Sequence, residues 1–451
     1  MIPDVTPNGV FYLPPTGWLT SFYNPPKEIN IIMFNNKQKN YNKIIILGNG
    51  FDLACGLKST YKDFFNWRLK QLSKTSIFNK QFKKVNQAKL NQYCVLDQIE
   101  SIKEEIKVAE DFLDLLIDEY SSSDEVSLQK FFPKDIKDFN YWDLIFLFNQ
   151  GQGENWYNIE SIMAKYLKDI FINKLFNNLP NSSNYQKLCR ILYVGEKTTP
   201  KMQAFLSNQL KIFEDNFADY IKEQVCKNRK FEISARKRLA KIINDYKTKA
   251  MEVTVLTFNY SLSDQDDLKD NFHHILPKWI NIHGYCNYLN NSSEYRPIFG
   301  IDSSSLKTED DPRNIFTKTY QIALNSIERK EIQLPKNAYC ISFYGHSLSQ
   351  ADYSYFESIF DMYNLYSSNT YLCFYCGIYN TKGEYNDRYK TKNNKIKQEF
   401  MTSIYKLIQH YGSTLSRNHG DNLFHRLILE GRIKIELDPG ARSSKTSISA
   451  N

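Results

Sequence analysis

The chain has 451 residues and a net charge of +8, with 42% hydrophobic and 24% charged residues. This composition is typical of folded globular proteins and excludes a largely disordered chain, and the length allows two or three domain-sized units. No apolar run approaches the roughly 18 residues that a membrane span needs, so we expect no membrane association.

The cysteines do not form a metal-binding pattern. Of the eight cysteines, only Cys373 and Cys376 are close together, in an apolar stretch that predicts a buried strand. No second C-x-x-C completes a zinc set, and we find no secretory signal. We therefore expect core thiols, no metal and a reducing, cytoplasmic location.

The chain begins with a proline-rich segment and then a strand, a turn and a helix. Prolines predict that residues 1–42 are peripheral and irregular. In residues 43–65, the apolar run 44–47 predicts a buried strand, and Gly48-Asn49-Gly50 predicts a tight turn before a helix. Such a turn can hold a phosphate at the helix N-terminus, but an ordinary strand-to-helix connection is an equal alternative.

Residues 66–250 read as a large helical insertion. Apolar residues recur at three- to five-residue spacing between 206 and 225, which is typical of an amphipathic helix. Basic residues concentrate between 227 and 238. A solvated helix face explains this cluster better than a nucleic-acid surface, so we do not expect nucleic acid as a partner.

Strand signals return in residues 251–437 and alternate with helices. Short apolar runs predict strands at 253–258, 279–282, 297–301, 339–344, 371–375 and 432–437. This alternation predicts an α/β protein with a parallel sheet covered by helices on both faces. The Ser-rich, aperiodic tail 438–451 is expected to be disordered.

Polar residues follow five of these predicted strands. Ligands of parallel α/β sheets bind beyond the carboxyl ends of the strands, where the strand order reverses, so the pattern predicts a functional cleft. The candidate binding and catalytic residues are Gly48, Asn49, Gly50, Asp52, Thr257, Asn259, His283, Asp302, Gly345 and Ser347.

Several short motifs lie in order along the chain. They are Ile46-Leu-Gly-Asn-Gly-Phe-Asp-Leu-Ala-x-Gly-Leu57, Ser59-Thr-Tyr-x-Asp-Phe64, Asn155-Trp-x-x-Ile-Glu160, Leu256-Thr-Phe-Asn-Tyr260, Ile282-His-Gly284, Ile298-Phe-Gly-Ile-Asp302 and Tyr344-Gly-His-Ser-Leu348 with Asp352. Together they resemble the AbiH family of phage abortive-infection proteins, over about residues 43–437. The resemblance implies a role in antiviral defence and a phage-derived trigger as a partner.

The order of these motifs also resembles, more distantly, the Rossmann-like fold of sirtuin-like NAD-binding proteins. That resemblance implies that Gly48 and Gly50 flank the diphosphate of NAD, and that Gly345 and Ser347 close the nucleotide side. It implies a nicotinamide-ribose site at Asn259 and His283, and NAD hydrolysis rather than lysine deacylation, since the deacylases' Gln, Asp and zinc module are missing.

Structural roles remain open for each candidate. Asn259 and His283 could stabilise turns, Asp52 could favour a helix start, and Asp302 could fix its loop. His346 is expected to be a turn residue, and Asn155, Trp156 and Glu160 are expected to pack and cap the helical insertion. The hypotheses are therefore an NAD hydrolase, a nucleotide sensor without turnover, and a nucleic-acid effector in last place. Association into a homo-oligomer is left open.

Overall fold

A computed structural model gives the structure of most of the chain outside its two ends. The chain divides into two units between residues 39 and 40, and only the second, Asn40–Asn451, contains described residues. The predicted irregular N-terminus up to residue 41, the tail after residue 442, Asn155 and Trp156 lie outside the described part. The described residues are 42–74, 113–114, 128, 132, 140–149, 159–174, 183–244, 252–263, 277–286, 296–303, 306, 308–326, 334–379, 387–415 and 420–442.

A six-stranded parallel sheet is the centre of this structure, which confirms the α/β prediction. The spatial order is β3-β2-β1-β4-β5-β6, so the direction of strand succession reverses between β1 and β4. The strands are β1 (Asn42–Leu47), β2 (Glu252–Thr257), β3 (Lys278–Asn281), β4 (Cys340–Tyr344), β5 (Tyr371–Tyr379) and β6 (Ile433–Arg442).

The prediction of a strand at 297–301 is wrong. Within the described residues, this stretch makes only a one-residue bridge, between Ile301 and Thr317. Its backbone instead bonds to neighbouring loops and helices, since the Ile298 N–H donates to the His283 carbonyl at 2.8 Å. The apolar side chains that suggested a strand are buried against the helical region instead.

Helices cover both faces of the sheet. On one face, Ile44 and Phe343 pack in a cluster with Phe356 and Ile404. On the other face, Ile45 packs in a cluster that includes residues of the first and seventh helices. The helices are α1 (Asn49–Ala54), α2 (Tyr61–Lys74), α3 (Tyr141–Asn149), α4 (Ile159–Phe171), α5 (Asn184–Glu196), α6 (Thr199–Lys227), α7 (Phe231–Asn244), α8 (Lys318–Ser326), α9 (Tyr353–Met362), α10 (Asp387–Thr414) and α11 (Leu423–Leu429).

Helices α2–α6 form a helical region with its own aromatic-rich core. Inside it, the buried Arg68 guanidinium pairs with Asp143 at 2.9 Å and donates to the Asn216 side chain at 3.0 Å. The same core includes Phe299 and Phe316, which come after β3 in sequence. Because these loops join its core, the helical region is attached to segments that leave the sheet.

Two element boundaries differ from those expected. Helix α7 falls within the predicted helical insertion, yet Phe231 and Leu239 pack against the sheet. Strand β6 runs to Arg442, beyond the boundary expected at residue 437. Its Asp438 is buried and pairs with Arg238 of α7, which joins the end of the last strand to the helix that covers the sheet.

Candidate functional site

Two turns cross at the carboxyl ends of β1 and β4. The Gly48 N–H donates to the Tyr344 carbonyl at 3.0 Å, and the Gly50 N–H donates to the Gly345 carbonyl at 2.7 Å. The Phe51 N–H donates to the Gly48 carbonyl at 2.8 Å. Three amides of the glycine turn therefore bond to the protein's own backbone.

Glycine is required at this crossing because the two backbones touch. A Cβ on Gly50 would lie 2.7 Å from the Gly345 Cα, and one on Gly345 would lie 2.2 Å from the Phe51 nitrogen. Gly345 also has a φ of +67°, which favours glycine. Close packing thus accounts for these glycines, in line with the ordinary strand-to-helix connection that the sequence left open as an alternative. Diphosphate binding by Gly48 and Gly50 stays a prediction.

Asn259 connects the end of β2 to this turn. Its Nδ2 donates to the Gly48 carbonyl at 3.0 Å and to the Asp52 carboxylate at 3.1 Å. Its own N–H donates to the Thr257 hydroxyl at 3.0 Å. The Asn259 side chain therefore positions α1 against β2, and it lies buried where the strand order reverses.

The Asp52 carboxyl is buried below the turn. Burial raises the pKa of Asp52 to about 7, with Ser261 and Asn259 acting in the opposite direction. The charged form is disfavoured because low-polarity surroundings solvate a carboxylate poorly. Asp52 is consequently poised to exchange a proton near neutral pH.

A second group of polar side chains surrounds the Lys318 ammonium, at the start of α8. Its Nζ lies 2.5 Å from the Glu160 carboxylate and 3.1 Å from the Asp352 carboxylate. The His346 Nε2 lies 3.7 Å from the same Asp352. We call Glu160, His283, Lys318, His346 and Asp352 the Lys318 cluster.

The charges of the Lys318 cluster shift one another's protonation. Burial alone would lower the pKa of Lys318, but Glu160 and Asp352 raise it well above its usual value. Burial acts to raise the pKa of Asp352, but Lys318, His346 and His283 together lower it to about 2. Burial raises the pKa of Glu160 despite Lys318. Lys318 and Asp352 are thus a charged pair at neutral pH.

The two histidines of the cluster have different surroundings. His283 is buried among aromatic rings, with ring centroids 5.2 Å from Phe258 and 5.6 Å from Tyr355. The His346 Nδ1 accepts the Leu348 N–H at 3.0 Å, and burial lowers the pKa of His346. His346 is therefore a neutral turn residue at pH 7, as expected. Both histidines lie near enough to Asp352 to lower its pKa.

The remaining sequence candidates lie around these two groups. Asp302 is half-buried, accepts the Ser354 hydroxyl at 3.2 Å, and adds to the negative charge that Glu160 experiences. Asn49 is exposed and its side chain accepts the Ser59 hydroxyl. Ser347 is exposed. The structure thus brings Gly48, Gly50, Asp52, Thr257, Asn259 and Gly345 together, and places His283 with the Lys318 cluster.

Sequence reasoning missed Lys318 and undervalued Glu160. The two residues are 158 positions apart, and Lys318 follows no predicted strand. Glu160 carried a usable signal, because it belongs to the Trp/Glu motif in the helical region.

Two arginines of α7 contact other parts of the protein or their own helix. Arg238 pairs with Asp438 and donates to the Tyr344 hydroxyl at 2.7 Å. Arg236 lies 3.9 Å from Glu232. These contacts agree with a role in packing for the two arginines.

The fold and these polar groups define an α/β protein whose parallel sheet carries an attached helical region. Residues 44–374 match the model of the family described as bacteriophage abortive infection AbiH. The chain belongs to this AbiH family, which makes it a protein of abortive-infection defence against phage. No curated protein and no solved structure was found to match it significantly. Across the described residues, we find no helix with the length and apolar character of a membrane span.

Proposed function

We propose that this AbiH protein acts in abortive infection by binding NAD and hydrolysing its nicotinamide–ribose bond. The observation that carries the proposal is the position of Asn259 and the Lys318 cluster beyond the ends of β2, β3 and β4. The strand order matches that of doubly wound dinucleotide-binding sheets, in which ligands bind at the reversal between the first and fourth strands. Loss of NAD would stop both host metabolism and phage production.

The chemistry suits these groups. As the nicotinamide–C1′ bond breaks, positive charge develops on the ribose, as in glycoside cleavage. Nicotinamide leaves with the bonding electrons and needs no proton, and a water oxygen bonds to C1′. His283 takes the proton that this water loses. The carboxylates of the Lys318 cluster favour the developing cation.

The two ends of NAD fit the structure unequally. The ribose and nicotinamide end matches the carboxyl groups of the Lys318 cluster and the aromatic rings beside His283. The amides of Gly48, Gly50 and Phe51 already bond to backbone carbonyls, so they favour no diphosphate. The diphosphate would instead lie toward the exposed Asn49, beside the turn.

The direct test is incubation of the purified protein with NAD, alone and with extract of phage-infected cells, followed by chromatography. We expect release of nicotinamide, and a reduction of roughly 10²- to 10⁴-fold in His283→Ala. His425 is exposed on α11, so His425→Ala is the matched control and should retain the activity. Phage protection without nicotinamide release under any trigger would rule out hydrolysis.

A nucleotide sensor without turnover is the second candidate, and the bonds of Asn259 favour it. The two hydrogen bonds that its side-chain amide donates hold the turn and Asp52. A sensor should retain protection in His283→Ala. It should lose protection in Asn49→Asp, which places a negative charge at the helix start and can still accept the Ser59 hydroxyl. The opposite pattern would favour the hydrolase.

A further inference from the structure

The Lys318 cluster contains more negative than positive groups. Glu160 and Asp352 both contact the Lys318 ammonium, and Asp302 lies close enough to affect the charge of Glu160. His346 adds no positive charge at neutral pH, because burial lowers its pKa. One ammonium therefore contacts two carboxyl groups, and a third lies near Glu160.

Of the three residues joined by these ion pairs, Glu160 is the most exposed. Its side chain is 22% exposed, compared with 4% for Lys318 and 10% for Asp352. A molecule that approaches from solvent therefore meets a carboxyl group before it meets the ammonium. Such a surface attracts a cation and disfavours a phosphate.

Aromatic side chains lie near the Lys318 cluster. Tyr61 and Tyr260 are both close enough for the Glu160 charge to raise their pKa. Tyr355 lies beside His283, with its ring centroid at 5.6 Å. Aromatic faces add to the attraction of a planar cationic ring, and they contribute stacking area.

We propose that the site selects a cationic ring attached to ribose, and that Glu160 of the helical region is the residue that determines this selectivity. The inference rests on the proposed function, and it names the charged nicotinamide ring as the feature recognised. The helical region then contributes directly to the binding site. Oxidised NAD should bind more tightly than NADH, whose dihydronicotinamide ring is neutral.

Isothermal titration calorimetry can test this with two ligands that the protein does not hydrolyse. They are carba-NAD⁺, whose carbocyclic sugar cannot form an oxocarbenium ion, and NADH. We expect wild-type protein to prefer carba-NAD⁺ by about tenfold. The preference should fall toward one in Glu160→Gln and persist in Glu160→Asp, which keeps the charge.

Asp215→Asn is the matched control for a purely structural role. Asp215 of α6 pairs with Arg296, so this pair also joins the helical region to a loop that follows β3. If Glu160 served only to fasten the helical region, both variants would leave the ligand preference unchanged. We expect Asp215→Asn alone to leave it unchanged.

The outcomes separate the inference from the proposed function. Equal affinity of wild-type protein for the two ligands would overturn the inference, even if Glu160→Gln failed to fold. A folded Glu160→Gln that keeps the wild-type preference for carba-NAD⁺ would also overturn it. In either case, nicotinamide release would leave the proposed function intact. If neither ligand nor ADP-ribose binds and no nicotinamide is released, both the inference and the proposed function fall.

Discussion

Asp52 is a residue whose charge opposes folding. Its folded-state pKa of about 7 exceeds the reference value of 3.8, so the folded state binds the proton more tightly. Its contribution to stability is therefore complete below pH 3.8 and is lost as the pH rises through 7. The free energy of unfolding should decrease across this window on account of this residue.

Asp52→Asn should remove that dependence, because the amide stays neutral and can still accept the Asn259 hydrogen bond. Between pH 5 and pH 8, wild-type protein should lose about 2–3 kcal/mol relative to the variant. Urea unfolding of both proteins at the two pH values measures the difference. Parallel pH profiles would show that Asp52 is ionised in the folded state at pH 5.

His346 supports a strained turn. Leu348 has a φ of +54°, which is unfavourable for a bulky side chain, and its N–H donates to the His346 Nδ1 at 3.0 Å. The Oδ1 of asparagine can replace Nδ1, whereas the polar group of glutamine corresponds to Nε2. His346→Asn should therefore be more stable than His346→Gln by about 1 kcal/mol.

Thermal unfolding of the two His346 variants decides which nitrogen matters for stability. A more stable His346→Gln would instead assign the main role to the Nε2 that faces Asp352. Nicotinamide release, measured on the same samples, should follow stability if His346 is only a turn residue. A folded His346→Asn that releases no nicotinamide would contradict that role.

At the scale of elements, the crossing of the two glycine turns fixes β1 and α1 against β4. Gly345 and Gly431 make a matched pair, since their φ angles are +67° and +65°. A Cβ on Gly345 would meet backbone at 2.2 Å, whereas one on Gly431 would meet nothing within 4 Å. Alanine at either site therefore has the same cost for the positive φ, but only alanine at Gly345 also clashes with backbone atoms.

Gly431→Ala should cost about 1 kcal/mol, the usual penalty for a left-handed conformation. Gly345→Ala should cost more than about 4 kcal/mol, because backbone atoms cannot move aside. Chemical denaturation of both variants provides the measurement. Equal costs would mean that the crossing opens easily, and that Gly50 is free to approach a ligand.

Most strands of the sheet could be predicted from the sequence, but few of the contacts in the candidate site could. Buried parallel strands are continuous apolar runs, so β1, β4 and β5 were recognisable, and so were the polar residues that follow strands. The run at 297–301 has the same character and failed as a strand, because its burial comes from helices instead of strand partners. Local pattern does not distinguish these two kinds of burial.

Long-range contacts explain the rest. Lys318 and Asp352 are 34 positions apart, and Glu160 approaches them from a helix that belongs to another core. Nothing in local periodicity predicts such a meeting. The same applies to the contact of Gly345 with Gly50, which gave the glycine motif a packing role in addition to the predicted phosphate role.

At the scale of the whole molecule, Lys318 joins the helical region to the loops beyond the sheet. Its ammonium bonds to Glu160 of α4 and to Asp352 just before α9, and all three side chains are largely removed from solvent. Lys318→Met would leave two carboxyl groups facing each other without a cation. We expect a loss of about 3–5 kcal/mol at pH 7, as is usual when one partner of a buried pair is removed.

The pH dependence of this loss identifies its cause. Without Lys318, the pKa of Asp352 should rise from about 2, and protonation should then relieve the repulsion as the pH falls. The deficit of Lys318→Met in urea unfolding should thus be smaller at pH 5 than at pH 7, and Lys318→Met/Glu160→Gln should recover part of it. Arg296→Met is the control: Arg296 is 29% exposed in its pair with Asp215, so its deficit should be smaller and nearly independent of pH. A Lys318→Met deficit that does not change with pH would show that packing of the lysine stem, and not its charge, holds the helical region at the strand ends.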